Sequence, residues 1–135
     1  MKNLALLVLI SGCLVIFSCK KETRSEKFLL LTGPTWTSDS LLAEGVDASQ
    51  PGQLLAKFKG DAKFREDGTG YFGLYKGTWK FSYNETEIVI DSDSLQVPLT
   101  TNIAVLTKTS LKITTSYPTA DPSNPLDIRM TFKAK

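Results

Sequence analysis

The chain of 135 residues contains no histidine. Histidine is the usual general base near neutral pH and the commonest zinc ligand. Its absence excludes the Ser-His-Asp and Cys-His arrangements of nucleophilic catalysis. We therefore predict no catalytic residues, no metal site and no cofactor, and we expect that the protein is not an enzyme.

Cysteine is also scarce, since Cys13 and Cys19 near the N-terminus are the only two. No pair is left to join distant parts of the remaining chain in a disulfide. The net charge of +2 is small, so charge gives no reason to expect a nucleic-acid partner. The stability of the protein must come from the hydrophobic core of one domain.

The N-terminus does contain an apolar run, from Leu4 to Phe17, which follows the basic Lys2. This run is too short to span a bilayer, which takes about 20 residues in a helix, but it suits a cleaved signal peptide. Ser18-Cys19 then places a small residue before a cysteine, which resembles the bacterial lipoprotein signal. In that signal the cysteine is acylated, for example with palmitate, and becomes the new N-terminus.

Two cysteines compete as the site of lipid attachment. Gly12-Cys13 matches the local pattern better, but cleavage there would leave only Leu4–Ile10 as the apolar core of the signal. Cys19 keeps the whole apolar run before it and has Lys20-Lys21 after it. We assign lipid attachment to Cys19, with Cys13 as the alternative. A lysine directly after the cysteine favours the outer membrane, by resemblance to the sorting of other lipoproteins, and leaves either face of that membrane open.

A short helix is predicted over residues 24–32. Thr23–Glu26 has the form of a capping box, Phe28–Leu31 supplies an apolar turn, and Gly33 and Pro34 stop the helix. No other segment has a convincing helical period.

Alternation of apolar and polar residues predicts strands in the rest of the chain. The longest alternating run, Ala56–Arg65, predicts a single long strand. Other strands are expected at Trp36–Ala43, near 71–74, 79–82 and 87–90, around 95–100, 102–107 and 110–116, and near 128–132. Short antiparallel strands without crossover helices predict an all-β, up-and-down meander that closes into an eight- or nine-stranded barrel with a short N-terminal helix.

The turns between these strands decide which side chains face the interior. A two-residue turn at Asp67-Gly68 places Phe64 opposite Tyr71, a three-residue loop at Tyr75–Gly77 restores the parity of the next strand, and Asn84-Glu85 forms a further tight turn. The predicted interior set is Phe64, Tyr71, Trp79, Phe81, Ile88 and Ile90. The four aromatic residues of this set are the candidate lining of a ligand cavity, and a packed core is the alternative.

The same register places Phe72 and Leu74 on the outside, where two neighbouring apolar residues indicate a candidate partner surface. Two functions therefore stay open. One is a non-catalytic envelope lipoprotein that binds a small apolar or amphiphilic ligand, and the other is a protein-interaction module with a filled barrel. An interior apolar cavity of about 300 Å³ or more would favour the first.

At this point the chain resembles the lipocalin-like lipoproteins of Gram-negative bacteria. The resemblance rests on Cys19 with its two lysines and on the segments 30–36, 64–71 and 77–81. It implies an up-and-down barrel closed at one end by the N-terminal helix, and it implies no particular ligand. The expected organisation is a signal peptide over 1–18, the acylated cysteine with a charged tether over 19–27, and the barrel domain over 28–135.

Overall fold

The computed structural model describes residues 24–135. The proposed signal peptide, both cysteines and Thr23 lie outside these residues. The described chain has one helix, a short 3-10 turn at Ala56–Phe58 and nine strands. They are α1 (Glu26–Thr32), β1 (Trp36–Ala43), β2 (Val46–Asp47), β3 (Asp61–Phe64), β4 (Thr69–Phe72), β5 (Tyr75–Ser82), β6 (Glu87–Ser92), β7 (Leu99–Leu106), β8 (Ser110–Tyr117) and β9 (Leu126–Ala134).

The strands form a closed barrel. From β3 to β9 each strand pairs with the next along the chain, and β1 closes the circle by pairing with both β3 and β9. Eight strands thus make the barrel, and the two-residue β2 is a ninth that pairs with the end of β1. All pairs are antiparallel. The predicted all-β, up-and-down barrel with a short N-terminal helix is confirmed.

Because neighbouring barrel strands are antiparallel, their connections alternate between the two ends of the barrel. The helix end carries α1, the connections 65–68, 83–86 and 107–109, and Lys135. The loop end carries the connections 44–45, 48–60, 73–74, 93–98 and 118–125.

Helix α1 closes the helix end. Its cap is Ser25, whose hydroxyl accepts a hydrogen bond from the Phe28 amide at 3.1 Å. Leu31 is fully buried, and its carbonyl accepts a bond from the indole nitrogen of Trp36 at 3.0 Å. The helix, predicted over residues 24–32, begins two residues later, within the stretch also expected to be tether, and its apolar face forms one wall of the core.

Lys63 fixes the other terminus of this helix. Its ammonium group donates hydrogen bonds to the carbonyls of Thr32, Gly33 and Pro34 at 2.8, 3.0 and 3.1 Å. A cation beside the last carbonyls of a helix is favourable because those groups have no partner within the helix. Lys63 thus joins β3 to the end of α1.

The segment 48–60 closes the loop end. Its side chains Leu55 and Phe58 are buried, and the Phe58 ring lies 4.6 Å from that of Tyr75. The Leu74 amide donates to the Lys57 carbonyl at 2.8 Å. The predicted long strand Ala56–Arg65 is therefore wrong in its first half, where the chain forms a 3-10 turn and then bends at a Gly60 with a φ of 115°.

The register of β3 and β4 also differs from the prediction. Phe64 pairs with Gly70 rather than Tyr71, because the Arg65 amide donates to the Thr69 carbonyl and leaves a three-residue loop. Asp67 accepts hydrogen bonds from the amide and hydroxyl of Thr69, and Gly68 has a φ of 86°. This is the hairpin in which a left-handed glycine follows a turn.

The next turn has two residues, one fewer than predicted. Phe72 pairs directly with Tyr75 around a two-residue turn, Gly73-Leu74, in which Gly73 has a φ of 62°. The two errors cancel from β5 onward. Only β4 is inverted relative to the prediction, so that Phe72 faces inward and Tyr71 outward.

The turn at Asn84-Glu85 forms as predicted, and Trp79 pairs with Ile90 and Phe81 with Ile88. Tyr83, Asn84 and Glu85 all have positive φ, between 53° and 61°. A left-handed conformation costs a residue other than glycine about 1–2 kcal/mol, so a run of three needs support from outside the turn. Helix α1 supplies it, since Ser25 donates to the Glu85 carboxylate and the Lys27 ammonium donates to the Glu85 carbonyl.

Candidate functional site

The aromatic residues expected to line a cavity pack against one another instead. The Trp79 ring lies 5.6 Å from Phe64 and 5.3 Å from Phe81, edge to face in both pairs. The Trp79 indole nitrogen donates to the Arg65 carbonyl at 2.8 Å. This geometry is that of a packed aromatic core.

Tyr71, the fourth member of the predicted lining, is outside the barrel. It pairs with Lys63 and Lys76 on the outer face, and the Arg65 guanidinium lies 5.5 Å from its ring centre. Its interior place is taken by Phe72, which is 2% exposed and lies 5.0 Å from Phe64. The prediction that Tyr71 lines the interior and that Phe72 belongs to a surface is therefore wrong, because the turn at Asp67-Gly68 has one residue more than expected.

The barrel interior is occupied by large side chains. All eight barrel strands and α1 contribute buried residues, at least one of them apolar in every case except β7, which contributes Thr101, and both ends are covered, by α1 and by the segment 48–60. Two clefts in the described part of the chain, of about 300 and 260 Å³, are open to solvent, one across β1 and β7–β9 and the other between β1 and the segment 48–60. The interior thus resembles a filled small barrel rather than a ligand-binding one.

Leu74, the other residue of the predicted partner surface, is exposed over 76% of its area at the tip of the β4–β5 turn. Four further large apolar residues are exposed at the same end of the barrel, each on a different segment. We call these five the loop-end surface: Val46, Leu54, Leu74, Val97 and Tyr117.

Carboxylates outnumber lysines by four to two in β2 and the connections at the loop end. The acidic residues there are Glu44, Asp47, Asp93 and Asp121, and the basic ones are Lys57 and Lys59. The exposed apolar residues therefore have a small excess of negative charge near them in the sequence.

Tyr75 and Tyr117 lie at this end of the barrel as well. Burial, with a smaller contribution from the neighbouring Tyr117, raises the pKa of Tyr75 above its ordinary value. Because a phenol is already neutral at physiological pH, this shift keeps the ring uncharged and apolar over a wider pH range. Tyr75 therefore contributes packing, not acid–base chemistry.

The larger outer cleft crosses four strands. Asn102, Thr114, Arg129 and Leu42 are directly opposed in the register and share the outer face. Glu44 lies at the rim, where its carboxylate accepts a bond from the Asp127 amide at 2.7 Å. The lining of the cleft mixes polar and apolar groups, and nothing in it singles out one ligand class.

Three exposed carboxylates are engaged by their own turns. Asp47, Asp67 and Asp121 each accept hydrogen bonds from the amide and hydroxyl of the residue two positions later. These bonds, the side-chain ones first, lower the pKa of each carboxyl. A carboxyl that is held ionised is a poor general acid. Asp47, Asp67 and Asp121 therefore stabilise the turns in which they lie.

Residues 24–135 contain no group of three or more acidic or cysteine side chains arranged to hold a metal ion. No helix in the same range has the length and apolarity of a membrane-spanning helix. We found no protein-family model that matches the chain, and no curated protein matches it either.

Sequence reasoning found only one member of the loop-end surface. Val46, Val97 and Tyr117 are isolated apolar residues, which carry no signal, and Leu54 lies beside the buried Leu55. The alternation of the connections could have indicated the group, since it places every second connection at the same end of a meander. The residues concerned lie in, or beside, those connections.

Proposed function

We propose that the chain is a lipid-anchored, non-catalytic barrel of the bacterial cell envelope that acts as a protein-interaction module. The observation that carries the proposal is the filled interior, with aromatic residues that pack on each other and covers at both ends. A carrier of small apolar ligands needs interior space, so this arrangement favours the second of the two functions considered from the sequence.

The loop-end surface is the proposed binding site for the partner. Five large apolar side chains are exposed there on separate segments of one barrel, which is a suitable scaffold for a docking surface. The acidic residues around them favour a partner protein with an apolar contact region and basic neighbours.

The anchor is proposed from the sequence alone, at Cys19 and in the outer membrane. One acyl chain holds a protein only marginally, so stable anchoring requires the two or three chains of a mature lipoprotein. Replacing each cysteine separately and measuring acylation by mass spectrometry tests the assignment. Cys19→Ala should block processing and acylation, whereas Cys13→Ala should leave both intact. The reverse result would assign the anchor to Cys13. If neither substitution affects acylation, lipid anchoring is refuted.

The interaction itself is tested by placing a photo-crosslinking amino acid at Leu74 or at Val97 in cells, with Lys80 on the outer wall as the matched control position. We expect both loop-end positions to give an adduct with the same protein, and Lys80 to give none. Leu54→Asp should abolish the adduct while the protein stays folded. Equal adducts at Lys80, or a small apolar molecule that co-purifies with the protein in native mass spectrometry, would overturn the proposal.

A further inference from the structure

A second exposed apolar set lies at the helix end, where the chain leaves towards Cys19. Tyr83 is exposed over 81% of its area and Leu29 over 53%, and Val105 is exposed to a lesser degree. These residues come from the β5–β6 turn, from the outer side of α1 and from the end of β7. We call them the helix-end surface.

Tyr83 is displayed by a backbone that the helix holds in place. The turn carries three successive residues with positive φ, and Glu85 within it bonds to Ser25 and Lys27 at the start of α1. The place where the chain enters the domain and the place where Tyr83 is exposed are therefore tied together by hydrogen bonds. Tyr83 lies at the point of attachment to the tether.

Only a short stretch of chain separates this end from the proposed anchor. Four residues lie between Cys19 and Arg24, and the five steps along the chain span at most about 18 Å when fully extended. The eight residues of β8 rise by about 20 Å along the barrel at a tilt of about 40°. With the anchor in a bilayer, the helix end can reach the lipid headgroups directly, whereas the loop end lies a full barrel length further from the tether.

We infer that the helix-end surface rests on the headgroup region of the bilayer that holds the acyl chains. This rests on the lipid anchor of the proposed function. Tyrosine is enriched at membrane–water interfaces, where its ring is in apolar surroundings and its hydroxyl in water. Lys27 and Lys108 are exposed at the same end, but so are the acidic Glu26, Glu66 and Asp67. Contact with the bilayer is therefore inferred from Tyr83, from Leu29 and from the short tether rather than from charge.

The consequence is a defined orientation. A tether alone would let the barrel tumble, so that the loop-end surface would face the membrane for part of the time. Contact at Tyr83 and Leu29 instead directs Leu74 and its neighbours away from the bilayer, towards a partner.

Site-specific labelling of the acylated full-length protein tests this inference. If acylation occupies the sulfur of Cys19, an introduced cysteine is the only reactive thiol of the processed protein. We would label Tyr83→Cys and, as the matched control, Leu74→Cys with a fluorophore, in vesicles of phosphatidylethanolamine and phosphatidylglycerol that contain a headgroup quencher. Quenching at position 83 should be several-fold stronger than at position 74.

The outcomes separate the two proposals. Processed protein without an introduced cysteine should take no label, and labelling or failure to float with the vesicles would count against the lipid anchor at Cys19. Equal quenching at positions 83 and 74 in protein that floats would overturn the orientation alone. If Tyr83→Cys does not fold, Lys108→Cys reports on the same end, and adding Leu29→Ser to it should weaken its quenching.

Discussion

The closure of the loop end depends on Gly73, and replacing this residue gives the sharpest test of the structure. A Cβ at Gly73 would lie 2.2 Å from the Lys57 carbonyl oxygen and 2.7 Å from the carbonyl carbon of Phe58. Gly45 provides a matched control, because it also has a positive φ, of 77°, but a Cβ there would meet nothing within 4 Å.

The two substitutions share one cost and differ in the other. An alanine in the left-handed region costs about 1–2 kcal/mol at either position. At Gly73 the segment 57–58 must also move away, which removes the bond from the Leu74 amide to the Lys57 carbonyl, worth about 1 kcal/mol. It also exposes part of Phe58, whose full burial is worth about 1.5–3 kcal/mol. We expect Gly73→Ala to lower the free energy of unfolding by about 3–5 kcal/mol, and Gly45→Ala by about 1–2 kcal/mol.

Urea unfolding of the purified protein measures both values. The fluorescence of Trp36 and Trp79, which are buried in the core, reports the transition. An equal loss of stability in the two variants would show that the segment 48–60 does not pack on the β4–β5 turn as described.

Three further predictions concern the register and the turns. Phe72→Ala should lower the free energy of unfolding by about 3–5 kcal/mol and Tyr71→Ala by about 1 kcal/mol or less, as measured by the same unfolding assay. The opposite order would support the register predicted from the sequence, with Tyr71 inside the barrel and Phe72 outside. Lys63→Met should cost about 1–3 kcal/mol and speed amide hydrogen exchange in α1, since three carbonyls lose a charged donor, and unchanged exchange would contradict this capping role. Because its bonds with Thr69 lower the pKa of Asp67 in the folded protein, the stability that Asp67 contributes is present above its ordinary pKa of 3.8 and lost as the pH falls below it. Asp67→Asn should therefore make the free energy of unfolding depend less on pH at acid pH. An unchanged pH dependence would contradict this role of the Asp67 hydrogen bonds.

The sequence predicted the architecture because the signals for it repeat along the whole chain. Trp36–Ala43 was predicted residue for residue, and β8 and β9 were found within a residue or two at most boundaries. Turn length was harder to predict. A glycine with positive φ is found in both two-residue and three-residue hairpin loops. Gly68 lies in a three-residue loop and Gly73 in a two-residue turn. Only packing decides between them.

The prediction of a strand over residues 56–60 was wrong for a different reason. Its apolar residues alternate with lysines as in a strand, yet Phe58 is buried because the chain folds over the barrel end rather than along its wall. Periodicity reports which residues are buried, but it does not report what buries them. The loop-end surface was missed for a similar reason. Its residues are far apart in the sequence, and they form a group only when each connection is placed at one end of the barrel.

The pairing of β1 with β9 bears on how the barrel folds. Trp36 pairs with Ala134, so almost the whole domain separates two residues that must meet. Such a long-range contact forms late, after the entropy of closing the chain has been overcome. Until the last strand arrives, β1 and β8 present unpaired backbone edges on which another chain could add a strand. A chain shortened within β9 should therefore aggregate instead of folding into a smaller barrel, and full-length chains should become resistant to aggregation in the step that joins the first barrel strand to the last.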